Sequence, residues 1–360
     1  MDALAVRTDV PLAPFCTLGV GGPARAYVSA ASEDALRAAA GWARERALPL
    51  FLLGGGSNLL VADEGFPGLV AHVDLRGVSV AEAGDHVEVT AAAGEDWDAL
   101  VARAVAAGWS GLECLSGIPG RVGATPIQNV GAYGQDVSET IARVRCLELA
   151  TGAAVELPGD ACGFGYRDSR FKAADRGRFA VLAVTFRLRP GAPPAVRYAE
   201  LARALERVAA PTLPDVRQVV LALRRAKSMV LDPADPNRRS AGSFFTNPTV
   251  DADAAERVRS AVARVHGPAG AAAMPAFPGA GGRVKLSAAW LIERAGLAKG
   301  YGEGPVGLSS NHTLAIVNRG GATARQIVVF ARHVRDRVDE RFGVRLAPEP
   351  VLVGLDLDAP

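Results

Sequence analysis

The chain has 360 residues, 49% of them hydrophobic, and a formal net charge of +2, which allows about two or three compact units with real cores. Its arginines are scattered without a basic stripe or interleaved aromatics, which argues against a protein working mainly on nucleic acid. No apolar run reaches membrane-spanning length, and MDALAVRTDVPLAPF carries acidic residues and prolines where a secretory signal needs a basic start and an apolar core, so a cytoplasmic protein with no membrane partner is expected.

In chain order, Ser32 reads as the N-cap of a helix through Leu36, Ala40 and Ala43 that stops before Pro49. The apolar run Leu50–Leu53 predicts a buried strand ending in a tight loop, Gly54-Gly55-Gly56-Ser57-Asn58, with GLVAHVDL as the next strand. Successive N–H groups in such a loop form a concavity suited to a pyrophosphate. The loop is neither GxGxxG nor closed by Gly-Lys-Ser/Thr, so any pyrophosphate here belongs to a fold other than the Rossmann or phosphate-loop types. In HVEVTAAAG, Val87, Val89 and Ala91 alternate as in a half-buried strand, and residues 95–107 predict a helix closed by Gly108. RVRCLELATGAAVELP predicts a hairpin around Thr151-Gly152, and FAVLAVTFRL a further strand.

From about residue 196 the pattern turns helical, in AELARALERVA and PDVRQVVLALRRAK, until LDPADPNRRS marks a boundary. Beyond it are predicted a helix near 251–265, a Gly/Pro/Ala loop at 267–282 whose composition is compatible with mobility, a helix in SAAWLIERAG and a strand in LAIVN. Thr323 and Gln326 match a capping box for a last helix followed by Gly343. Residues 344–356 predict a closing strand interrupted by Pro348 and Pro350. The four cysteines, Cys16, Cys114, Cys146 and Cys162, form no CxxC pair and have no histidine at metal spacing, so reduced structural thiols and no metal are expected.

The densest signal is GIPGRVGATPIQNVGAYG at 117–134, with five glycines, two prolines and Arg121 as its only charge in eighteen residues. Glycine lets main chain approach a ligand closely, while Gln128, Asn129 and Tyr133 add polar handles, so the segment suits a large, flat, polar ligand. Four shorter segments add to it. GFGYRDSRFK carries Tyr166, Arg167 and Asp168. SAGSFFTNP holds Ser243 without the GxSxG pattern of a hydrolase nucleophile. VKLSAAWLIERAG carries Lys285 just before a helix, and LAPEPVLVG clamps Glu349 between prolines.

Taken in order, TLGVGGPARAYV, GGGSN, GIPGRVGATPIQNVGAYG, GYRDSRFK, AGSFFTNP, VKLSAAWLIERAGL and LAPEPVLVG resemble the UDP-N-acetylenolpyruvoylglucosamine reductases over nearly the whole chain. The resemblance implies an α+β protein: two α/β FAD-binding subdomains of the vanillyl-alcohol-oxidase type and a C-terminal α+β substrate-binding domain. On that pattern residues 1–80 form the first subdomain and 81–225 the second, joined by the C-terminal strand 344–360. Residues 226–343 form the substrate domain. Non-covalent FAD contacts are implied at Gly54, Gly55, Gly56, Ser57 and Asn58, and at Pro119, Gly123, Thr125, Ile127, Gln128, Asn129, Gly131, Ala132 and Tyr133. The UDP-sugar is implied at Tyr166, Tyr198, Lys227, Asn247 and Lys285. Lys227 stands in KSMVLDP, about two residues longer than the common motif, and Val351 occupies a position where the family often has arginine. Tyr198 and the long middle section match the longer of two subtypes.

The same resemblance implies hydride transfer from FAD, reduced by NADPH, to the terminal carbon of an enolpyruvyl ether in peptidoglycan precursor synthesis. Negative charge then develops across the neighbouring carbon and carboxylate, and preorganised donors are needed there. Arg167 and Glu349 are implied at that carboxylate, Arg167 as a cationic fork. Glu349 fits beside an anion if it is partly neutral in the complex and donates a hydrogen bond. Ser243 is implied as the proton donor. Three alternatives stay open from sequence: another FAD-dependent oxidase or dehydrogenase of this fold, a nucleotide-sugar-binding protein without redox chemistry, and a serine hydrolase pairing Ser243 with His312. A monomer is expected.

Overall fold

The computed structural model describes residues 4–358; residues 1–3 and 359–360, the outer ends of the predicted first subdomain and closing strand, lie outside the described residues. Two compact units emerge. The first comprises the chain up to Val10, Pro23–Gly56 and Phe66–Leu231; the second comprises Pro11–Gly22, Ser57–Gly65 and the chain from Asp232 onward.

The first unit is built on two larger sheets. In one, Pro23–Ala30 and Leu50–Leu53 both pair in parallel with Phe66–Val73, and the helix Glu33–Glu45 crosses between strands. Ser32 Oγ accepts the Ala35 N–H at 3.1 Å, the predicted N-cap. The other sheet is antiparallel, in the order Ala154–Pro158, Ile141–Glu148, Phe179–Pro190, His86–Ala92, Val78–Ala83. Every second residue of His86–Ala92 is buried, as the alternation in HVEVTAA requires. Trp97 and Leu100, on the helix Trp97–Ala106, join Leu36, Leu69, Val89 and Phe186 in one core fed by both sheets.

The second unit packs the helices Ala252–Ala272, Ala288–Arg294 and Ala324–Phe342 around a core that includes Phe244, Phe245, Leu291, Ile316 and Val334. Two predictions are corrected here. The loop expected at 267–282 is largely ordered: after Gly267 breaks the helix at φ 74°, helix resumes to Ala272, and Ala276–Pro278 pairs with Val284–Leu286. The closing strand, expected to join residues 81–225, instead pairs Val351–Val353 in parallel with Leu59–Val61 inside the second unit. Pro348 and Pro350 cannot donate to a ladder, so the strand begins only after them.

All four cysteines are buried and free, and burial pushes the Cys16 and Cys162 thiols up to about 11 and those of Cys114 and Cys146 up to about 12. The native protein is therefore expected to resist a thiol-reactive disulfide reagent at neutral pH and to release four equivalents only on denaturation. Rapid native labelling would refute this.

The start of the Ala324–Phe342 helix allows a second test. Thr323 Oγ1 accepts the Gln326 N–H, while the Asp63 carboxylate accepts the Ala324 and Arg325 N–H groups at 2.7 and 3.0 Å. Three orphan donors are thus met by two side chains far apart in sequence. Thr323→Ala and Asp63→Ala should each destabilise by about 1 kcal/mol. Urea midpoints measure this.

Candidate active site

Within the first unit, the two predicted glycine loops meet. A methyl group added at Gly55 would lie 2.9 Å from Gly120 Cα, whereas one at Gly54 would reach only the Arg121 side chain at 3.9 Å. The second loop is tied by main chain to the turn between the strand His86–Ala92 and the helix Trp97–Ala106: Trp97 N–H donates to Gly120 O, Val122 N–H to Glu95 O and Gly123 N–H to Ala93 O. Gly123 has no room for a side chain, since a Cβ there would sit 2.6 Å from Ala93 Cβ. Thr125 Oγ1 donates to Val122 O and closes a tight turn before the short helix Thr125–Gln128.

Arg167 is held against the same loop. Its Nη2 donates to Gly131 O at 2.8 Å and its Nη1 to Asn129 O at 3.4 Å, while Lys172 Nζ donates to Arg167 O. Asn129 Nδ2 donates to Gly165 O, and Ser169 Oγ donates to Ile127 O, so the 117–134 and 163–170 segments are laced together. Asn129, Tyr133 and Arg167 all have left-handed backbone, with φ of 41°, 50° and 55°. Among the described residues six non-glycine residues do so, and half are predicted site residues, a clustering typical of functional segments.

A third group surrounds Tyr133. The Tyr198 ring meets it edge-to-face at 5.6 Å, and Lys227 Nζ lies 5.6 Å from its centroid while donating to Glu200 at 2.6 Å. Burial pushes the Tyr133 phenol up to about 12. Tyr166 and Tyr198 remain exposed, with the Arg167 guanidinium over the Tyr166 ring.

Ser57, Asn58, Ser243, Asn247, Lys285 and Glu349 lie in the second unit. Glu349 N–H donates to Phe244 O, and Phe245 bridges Pro348 in antiparallel fashion, so the segments bearing Ser243 and Glu349 run side by side. Asn58 joins them: its Nδ2 donates to Glu349 O at 3.3 Å and its O accepts the Val351 N–H. Ser57 O accepts from Thr17 Oγ1. Asn247 Oδ1 accepts the Ala288 N–H at 2.9 Å, and Lys285 pairs with Thr249 and Phe277, placing Asn247 and Lys285 around one three-stranded sheet. His312 Nδ1 accepts the Leu314 N–H. No group of histidine, cysteine, aspartate or glutamate among the described residues could hold a metal ion.

Residues 24–158 match an FAD binding domain, and residues 233–353 match the C-terminal domain of UDP-N-acetylenolpyruvoylglucosamine reductase. The reductase of that name from Thermobifida fusca is 53% identical over 353 residues, covering 97% of this chain and 98% of its own. The chain belongs to the UDP-N-acetylenolpyruvoylglucosamine reductase family. The Nocardia farcinica reductase is 52% identical, covering 98% and 91%. The crystal structure of the Thermus caldophilus reductase aligns at a TM-score of 0.63 and 26% identity, covering 98% and 99%. The chain is thus a flavin-dependent oxidoreductase of the expected α+β fold, and the non-redox and hydrolase alternatives fall away.

The two touching glycine loops, with Arg121 beside Gly54, suit the anionic, extended FAD. Sequence reading missed several residues that support them. Asp98 accepts the Gly117 N–H at 2.6 Å and a bidentate pair from Arg217. Burial raises its carboxyl, but the Arg217 and Gly117 hydrogen bonds outweigh that and hold it below the ordinary range. Arg224, beside Tyr133 and Gly117, is pulled down to about 10 by burial and donates to Met229 O. Asp98 lies on a helix predicted from its Gly108 stop with no role given to Asp98, and nothing in ALRRAK distinguishes Arg224 from Arg225.

Gly55→Ala should lower flavin retention by roughly tenfold or more, because the methyl meets backbone that cannot swing away. The ratio of visible flavin absorbance to protein absorbance in folded material measures it. Full flavin content would refute the tight approach.

Proposed function

We propose that this chain reduces the enolpyruvyl ether of UDP-N-acetylglucosamine enolpyruvate to UDP-N-acetylmuramate, with NADPH as electron source, as a cytoplasmic monomer in peptidoglycan precursor synthesis. What carries the reading is the adjacency of the Ser243 and Glu349 segments through the Phe244–Glu349 main-chain bond, in a chain whose other unit carries the FAD binding domain match. Bound FAD supplies the hydride.

The protein's residues supply the rest. Arg167 offers a guanidinium fork to the substrate carboxylate, and the carbonyls of Asn129 and Gly131 that receive its N–H groups set the fork's direction in advance. Ser243 gives a proton to the carbon next to that carboxylate once charge has built up there. Glu349, between two prolines and bonded through its main chain to Phe244 and Asn58, is fixed in direction, so its carboxyl meets the substrate at a set angle. Tyr166, Tyr198, Lys227, Asn247 and Lys285 bind the UDP-sugar. FAD lies along Gly54–Asn58 and along Pro119, Gly123, Thr125, Ile127, Gln128, Asn129, Gly131, Ala132 and Tyr133.

Ser243→Ala should leave flavin reduction by NADPH intact and slow reoxidation by the enolpyruvyl substrate by about 10²–10⁴-fold. Stopped-flow absorbance separates the two half-reactions. Equal loss of both would make Ser243 structural.

A further inference from the structure

We infer that Glu113 is a positioning residue that fixes Tyr198 to the glycine-rich cofactor loop and so sets affinity for the UDP-sugar; this rests on the substrate reading given above. Glu113 is fully buried in the first unit. Its hydrogen-bond partners among the described residues are all neutral N–H donors. Oε2 accepts the Gly111 N–H at 2.8 Å; Oε1 accepts the Ala195 N–H at 2.8 Å and Gln135 Nε2 at 3.3 Å. A carboxylate taken out of water without a bonded cation is costly unless donors converge on it. Here three do, from three separate stretches of chain.

Those stretches lead to the site. Gln135 follows the cofactor loop directly, and its Oε1 returns a bond by accepting the Cys114 N–H at 3.0 Å. The Ala195 peptide is gripped on both sides, since Cys114 Sγ donates to Ala195 O at 3.0 Å. Ser110 Oγ also holds Pro193 O, at 3.1 Å. Pro193 and Pro194 have no N–H, so Ala195 offers the first amide after them that such a clamp can use. Three residues further on stands Tyr198, edge-to-face on Tyr133. The chain at Arg197 and Tyr198 lies so close to Gly134 that an added Cβ would be 3.5 Å from Tyr198 N. Glu113 therefore holds the segment entering Tyr198 and the residue leaving the cofactor loop with one side chain. Both of its oxygens must accept. Glutamine, although the same shape, would turn an NH₂ toward an N–H.

Two variants and one control test the clamp in the flavin-loaded full chain. Ala195→Pro deletes the N–H that Oε1 accepts and fixes φ there; Ala195→Gly retains the N–H; Glu113→Gln reverses one partner. Each oxidised holoenzyme is titrated, without NADPH, with UDP-N-acetylglucosamine enolpyruvate, following the perturbation of the flavin spectrum. Ala195→Pro and Glu113→Gln should weaken binding by roughly tenfold or more with flavin content retained in the folded protein, while Ala195→Gly binds as wild type. Wild-type affinity in folded, flavin-loaded Ala195→Pro overturns the inference, and this variant decides alone if Glu113→Gln does not fold. A wild-type protein whose flavin spectrum ignores the sugar nucleotide overturns the substrate reading and the inference with it.

Discussion

Two stretches of main chain touch at Gly55 and Gly120, and the architecture of the first unit is organised to let them do so. The first stretch leaves a parallel sheet at Leu53; the second leaves the helix Trp97–Ala106 and returns along the end of an antiparallel sheet. Bare backbone at the crossing means the two sheets must hold their spacing to within a fraction of an ångström, and the shared core around Leu69, Trp97 and Phe186 supplies that rigidity. The same close approach bares peptide groups that a phosphate-rich cofactor can use. Asp98 and Arg217 then fix the second loop where it begins, at Gly117.

Further along that loop, rigidity comes from side chains bonding to main chain. Asn129 sits in left-handed backbone and holds Gly165 and Ser138 with its amide. Arg167, also left-handed, answers by holding Gly131. The predicted site residues Asn129 and Arg167 are therefore braced by one another. Conformational cost is met during folding, and little remains for the moment of ligand binding.

Much of this was legible in the sequence because it depends on local signals. Ser32, Thr323 and Gly343 marked helix ends, and each performs that role. Period-two alternation marked His86–Ala92, and charge-poor glycine runs marked the two loops that meet at Gly55 and Gly120. What escaped notice depends on partners far along the chain. Glu113 looks like a surface acid until Ala195 and Gln135 converge on it. Asp63 shows no local sign of capping a helix whose first turn lies at Ala324. Pro350 showed that no ladder could run through it, yet nothing local said the strand after it would pair with Leu59–Val61. Pro268 read as a loop residue, but Gly267 absorbs the break and lets helix resume.

That last parallel pairing bears on how the polypeptide can be made. Leu59–Val61 leave the ribosome early, about 290 residues before Val351–Val353, their only sheet partner among the described residues. Until then Asn58 lacks the Val351 amide it bonds to. The stretch just after the first glycine turn thus waits, unpaired, through most of translation. Truncation near the carboxyl end would therefore leave the end of the first glycine loop unbonded at a point distant in sequence from the cut.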